Sequence, residues 1–154
     1  MNYWLFKSES DVFSIDDLEK SPGSSSGWEG VRNYQARNYI RDTIKLWDLV
    51  FFYHSRIEPI GIVGLMTIIR EGYPDLHAFD KNSHYYDPKS KKENPTWYMV
   101  DVKLIKKFTS IIPMSELRSY TKLKDMVLLK KGSRLSIQPV SDKEYNFIIS
   151  LRKK

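Results

Sequence analysis

Two apolar runs separated by a short breaker constrain this chain most. Leu49-Val50-Phe51-Phe52-Tyr53-His54 is dense in β-branched and aromatic residues, and Ile60 to Ile69 is a second strand-like run. Such residues favour a pleated, packed surface. Pro59 and Gly61 interrupt the pattern, and the link Ser55-Arg56-Ile57-Glu58 is short enough to predict a β-hairpin. Tyr3-Trp4-Leu5-Phe6 adds an opening strand, the alternating stretch Trp97 to Leu104 a third long one, and Leu135-Ser136-Ile137 a short piece. Strands near 3–6, 48–54, 60–69, 97–105 and 135–137, with helices between, predict an α+β domain built on a small mixed sheet curled toward a barrel.

The helical segments announce themselves by their caps. Ser14 precedes Ile15-Asp16-Asp17-Leu18, an N-cap followed by acids in the first turn. Ser141-Asp142-Lys143-Glu144 is a capping-box pattern, opening a C-terminal helix with Tyr145, Ile148 and Ile149 as its buried stripe. Tyr34 to about Thr43 reads as a helix, and Pro113 to Leu117 as a short capped one, with Ser115 as one candidate cap. Ser21 to Gly27 is a flexible loop by composition. Residues 72–96 form a long polar excursion containing Pro74, Pro88 and Pro95; loops of this length inside a domain usually serve function. With no internal repeat and no linker, the 154 residues are expected to form one domain, 1–154.

The chain has no cysteine, which excludes disulfides, thiolate zinc sites and a cysteine nucleophile. No apolar run approaches the roughly 20 residues of a membrane helix. No basic stretch leads an apolar core at the N-terminus, so the expectation is an intracellular protein, in the cytoplasm of a bacterium or the nucleus of a eukaryote. Absence of a basic N-terminal extension favours the bacterial setting. Charge is concentrated: residues 103–134 hold nine Lys and Arg against two acids, a local +7 that exceeds the +6 of the whole chain. Such a face is an electrostatic footprint for phosphate backbones.

Catalytic patterns are missing. The sequence contains no Gly-rich phosphate loop, no nucleophile elbow and no His-Glu-x-x-His. His77, Asp80, His84 and Asp87 recur at intervals of three and four, but in the proline-interrupted excursion, where helical spacing is not to be assumed; no metal site is expected. His54 and Ser55 are neighbours on a strand and point to opposite faces, so they make no catalytic dyad. The expectation is a protein without catalytic residues, metal or cofactor.

The richest segment is Trp28-Glu29-Gly30-Val31-Arg32-Asn33-Tyr34-Gln35-Ala36-Arg37-Asn38. A Trp, two Arg, two Asn, a Gln and a Tyr around a glycine turn suit a pocket that stacks a flat ring and reads its edge. Aromatic faces stack on any base, and arginine adds charge with a planar donor fork.

Together with Tyr3-Trp4-Leu5-Phe6-Lys7-Ser8-Glu9, Leu49 to Ser55, Tyr85-Tyr86-Asp87-Pro88-Lys89, Asn94 to Val102 and Gly132 to Val140, that segment resembles the EVE-domain family over nearly the full chain. The resemblance implies a PUA-like fold, a pseudo-barrel related to the YTH and ASCH domains. It also implies a non-catalytic role in recognising modified nucleobases, with modified cytosine in DNA as the leading ligand. An unstacked or modified RNA base is the first alternative and an enzyme acting on nucleotides or RNA the second, and a monomer is expected. Carried over onto this sequence, it places Lys7, Ser8, Glu9, Trp28, Val31, Arg32, Asn33, Tyr34, Arg37, Tyr53, His54, Ser55, Arg134 and Ser136 at a pocket or its rim. In the expected arrangement Trp28, with Tyr53, stacks on a flipped base, and Asn33, Ser8, Glu9 and Ser55 read its edge. Val31 meets a methyl group, while Arg32, Arg37, Lys130, Lys131 and Arg134 hold phosphates. The chain departs from the family pattern at Ser10, where Pro is usual, and at Trp47, where Gly is usual; its Ser21–Gly27 loop is long.

Overall fold

The computed structural model describes residues 1–132 and 134–152; Ser133, within the Gly132–Val140 motif, lies outside them. Strand residues alternate between two buried faces, which explains why the strongest runs are continuously apolar. Along Tyr3–Glu9 (β1), Trp4 and Phe6 enter one core cluster and Leu5 the other. Along Leu49–Ser55 (β3), Val50 and Phe52 join the first cluster, Phe51 and Tyr53 the second. Each large side chain so buried contributes about 1.5–3 kcal/mol.

Ser25–Trp28 (β2), Gly61–Pro74 (β4), Tyr98–Pro113 (β5) and Ile137–Val140 (β6) complete a mixed sheet of order β2-β5-β4-β3-β1-β6. β3 and β4 form the expected antiparallel hairpin. β1 runs parallel to β3, setting Lys7 opposite Tyr53, Ser8 opposite His54 and Glu9 opposite Ser55. The sheet is not closed: β2 and β6 are its edges, so the curl stops short of a barrel.

Several expectations need correction. The supposed loop Ser21–Gly27 contains a 3-10 turn, Pro22–Ser24, and then β2, whose pairing with β5 sets Trp28 opposite Val100. A run of Ser and Gly lacks strand propensity, and the ladder overrides it. β4 and β5 run past 69 and 105 to Pro74 and Pro113, through polar residues that the β4–β5 ladder holds extended. The last strand begins at Ile137, not 135.

The helices are Ile15–Lys20 (α1), Tyr34–Asn38 (α2), Met114–Ser119 (α3) and Asp142–Leu151 (α4). Ser14 and Ser141 both close full capping boxes. α3 starts at Met114 with Pro113 as its N-cap, so Ser115 is not the cap. α2 passes directly into a π-helical turn, Tyr39–Thr43. Among the described residues no helix is long and apolar enough to cross a membrane.

Candidate nucleic-acid interface

At the carboxyl end of β1 the chain turns sharply. The backbone N–H groups of Val12 and Phe13 both donate to the Glu9 carbonyl at 3.0 Å, and Ser8 Oγ donates to the Phe13 carbonyl at 2.6 Å. This turn presents Val12 and Phe13 beside the end of β2. There Trp28 packs against Phe6, Phe13 and Phe52, with ring centroids 5.4, 6.0 and 5.2 Å away.

After Trp28 the backbone enters the left-handed region at Gly30, with φ of 82°. A Cβ here would lie 2.5 Å from the Tyr85 ring. Glycine therefore meets two demands at once, the positive φ and the close approach of an aromatic face. The Gly30 N–H donates to Asp75 Oδ2 at 2.9 Å, and Arg32 Nη1 donates to the same oxygen at 3.0 Å. Arg32 Nη2 donates to the Tyr85 carbonyl at 2.7 Å. Asp75 Oδ1 accepts from the His77 N–H at 2.9 Å, capping the 3-10 turn Leu76–Phe79. One fully buried carboxylate thus fastens the 29–32 turn to the start of the long excursion.

The result is a cavity of about 410 Å³ lined by Lys7, Ser8, Glu9, Val12, Phe13, Gly27, Trp28, Glu29, Gly30, Val31, Arg32, His84, Tyr85 and Ser136. Its size falls within the range of small-ligand pockets. The half-buried Glu29 carboxylate takes no hydrogen bond from any described residue. Glu9 Oε2 accepts from Arg56 Nη1 at 3.1 Å on the rim. Burial, then the charge of Glu29, pushes the Tyr85 hydroxyl above its ordinary range. Carboxylates beside aromatic surface make the site a hydrogen-bond acceptor for a flat, amine-bearing ring.

Of the sequence-derived candidates, Lys7, Ser8, Glu9, Trp28, Val31, Arg32 and Ser136 meet at this cavity. Trp28 is only 7% exposed, so it contributes to the cavity floor and leaves little open ring for stacking. Arg32, expected on phosphate, is spent on Asp75 and the Tyr85 carbonyl and serves as an internal clamp. The others are elsewhere. Asn33 is the N-cap of α2, its Oδ1 accepting from the Ala36 N–H at 2.9 Å. Tyr34 is 62% exposed and stacks on Trp97, and Arg37 donates to the Thr96 carbonyl at 2.6 Å. His54 Nε2 accepts from the Ile15 N–H at 3.1 Å, and burial lowers its pKa. Tyr53 and Ser55 line a different cavity. Lys130, Lys131 and Arg134 are exposed on the segment leading to Ser136.

Val12, Phe13 and the buried Asp75 were not singled out from the sequence; Glu29, His84 and Tyr85 lay in segments it drew out, but none was named for the pocket. Tyr85 lay within a family-like motif and was within reach; Asp75 is one acid in a polar stretch, with no local signal. Asp87, in the histidine-acid pattern, accepts from Trp97 Nε1 at 2.6 Å, which holds its carboxyl below the usual range.

The EVE domain family model matches residues 2–151. The chain belongs to the EVE-domain family. Human thymocyte nuclear protein 1 is 45% identical, over 99% of this chain and 75% of the relative. The solved structure of human THYN1 protein in complex with 5-methylcytosine-containing DNA superposes with a TM-score of 0.93 at 45% identity, covering 100% of this chain and 99% of that one. An ASCH protein of Zymomonas mobilis shares only the fold, with a TM-score of 0.57 at 7% identity. The α+β architecture of this EVE domain is PUA-like, as the resemblance implied.

Proposed function

We propose that this EVE domain is a non-catalytic reader that takes a modified cytosine of DNA into the cavity between β1 and the 29–32 turn. The observation that carries the reading is the full-length likeness to a solved relative in complex with 5-methylcytosine-containing DNA. The chemistry of the cavity supports it. Cytosine offers its exocyclic amine as a donor, and Glu29 is an uncommitted acceptor. Thymine offers a carbonyl at the same edge, which a carboxylate repels. Phe13 and Tyr85 supply aromatic walls over the Trp28 floor, and Val31 an apolar contact for a 5-methyl group.

Uptake requires the base to leave the stack, at a cost of a few kcal/mol. Lys130, Lys131 and Arg134 offset part of that cost by engaging phosphates beside the mouth at Ser136. The domain acts as a monomer, in the compartment that holds the DNA: bacterial cytoplasm or eukaryotic nucleus.

The test is competition between duplexes that differ by one cytosine 5-methyl group, with matched RNA as a third competitor. A methyl in an apolar pocket supplies about 1–3 kcal/mol, so a preference of roughly 5- to 150-fold for the methylated duplex is expected. Val31→Ala is expected to erode most of it. Equal affinity for both duplexes, or stronger binding of the RNA, overturns the reading.

A further inference from the structure

A second cavity, of about 530 Å³, opens on the other face of β1 and β3. Strand alternation sends Lys7 and Tyr53 to that face, and they lie opposite each other in the β1–β3 register. Lys7 Nζ is 6.0 Å from the Tyr53 ring centroid and forms no ion pair with any described residue. Tyr53 lines this cavity, and its hydroxyl has no hydrogen-bond partner among the described residues. Ser55 and Ser115 hydroxyls on the wall are equally uncommitted. Arg56 and Arg118 complete the lining from two sides. The opposing acid, Glu58, is partly spent: its Oε2 accepts from the Ile60 N–H at 3.3 Å.

The wall is therefore unusually rich in donors. An ammonium, two guanidinium groups, a phenol and two hydroxyls line it, with Glu58 the one carboxylate among the described lining residues. Arg56 also pairs with Glu9 at 3.1 Å outside the lining, and Arg118 Nη1 reaches the Leu129 carbonyl at 3.5 Å. Donors that face one cavity and have few protein partners are bridged by an oxyanion, which accepts from many directions. We propose that this cavity binds a phosphate group. Burial lowers the pKa of the Lys7 ammonium, which no carboxylate pairs among the described residues, and raises that of the Tyr53 hydroxyl to about 12, which keeps the phenol protonated and able to donate. The volume greatly exceeds the roughly 30 Å³ of a water-sized group, so the phosphate arrives attached to a larger molecule.

Two sources share this chemistry. Lys7 lines both cavities, so a backbone phosphate near a base held in the first cavity reaches the second. A small phosphorylated metabolite is the other. The inference does not depend on the base-reading proposal, because inorganic phosphate alone is the first probe.

The experiment is a titration of the whole chain with inorganic phosphate, read as amide shifts at Ser55, Arg56 and Ser115. Saturable shifts at these residues are expected. Tyr53→Phe and Arg118→Gln are each expected to weaken the binding by up to about tenfold, the scale of one hydrogen bond to a charged group. Tyr53→Phe removes only an unpartnered hydroxyl and leaves the core intact. A DNA oligonucleotide that moves the same amides, and ceases to when one linkage is a neutral methylphosphonate, identifies a backbone phosphate. Shifts with a sugar phosphate and none with the oligonucleotide identify a metabolite. No saturable shift from phosphate, or unchanged affinity in both variants, overturns the proposal.

Discussion

Arg32 and Asp75 are 43 residues apart in sequence and 3.0 Å apart in space, and the carboxylate is fully buried. The pair closes one side of the cavity, because Asp75 also holds Gly30 and Arg32 also holds the Tyr85 carbonyl. Removing one member leaves the other charge buried without its partner. Asp75→Asn is expected to destabilise the fold by about 3 kcal/mol. Arg32→Met should cost less than Asp75→Asn, since the arginine keeps 24% of its side chain in solvent. The double variant should fall short of the summed losses by at least ~0.5 kcal/mol. Urea unfolding of the four proteins checks the cycle.

Gly30 couples the same turn to Tyr85. Gly30→Ala forces a Cβ into the tyrosine ring and a side chain onto a φ of 82°. The expected cost is about 1–3 kcal/mol in stability, as for other overpacked sites. Tyr85 must move for the variant to fold, so DNA affinity should drop more than stability does; binding and thermal unfolding on one sample separate the two.

Trp47 explains one of the departures from the family pattern. Its φ is 72°, in the left-handed region, and its ring is 58% exposed. The left-handed conformation costs a non-glycine residue about 1–2 kcal/mol, more than the entropy glycine loses on folding. Trp47→Gly is therefore expected to raise stability by about 0.5–1 kcal/mol, measured by equilibrium unfolding.

His54 makes stability depend on pH. Its Nε2 accepts from the Ile15 N–H, so the folded state needs the neutral ring, and burial lowers its pKa below the ordinary 6.5. The unfolded chain then takes up a proton before the folded one does. Stability from this residue is complete above pH 6.5 and declines as the pH falls below it, toward the folded-state pKa. Replacement by Gln, which keeps an acceptor but does not titrate, should flatten this part of the stability profile between neutral and mildly acidic pH.

Legibility in the sequence tracks how local each determinant is. The caps at Ser14 and Ser141 and the β3–β4 hairpin were readable because each is fixed by a few adjacent residues. β2 was not, because Ser25, Ser26 and Gly27 become a strand only by pairing with β5. The cavity was half legible. Trp28 to Arg32 stood out by composition, and family likeness supplied Lys7 to Glu9 and Ser136. Yet Asn33, Arg37 and His54 proved to be capping and bracing residues, since polar groups near a turn meet backbone needs before ligand needs. Asp75 was invisible because its meaning lies wholly in two contacts from a distant segment.

The most direct measurement is an isotope-filtered NOE experiment on the complex with a duplex carrying a single 5-methylcytosine labelled with 13C in its methyl group. If the base enters the cavity, the labelled methyl shows contacts to the Val31 methyl groups and to the Trp28 or Tyr85 ring, and its contacts to neighbouring bases in the duplex vanish. If those base-stack contacts persist and no cavity residue responds, the modified base stays in the helix and the cavity is not its reader.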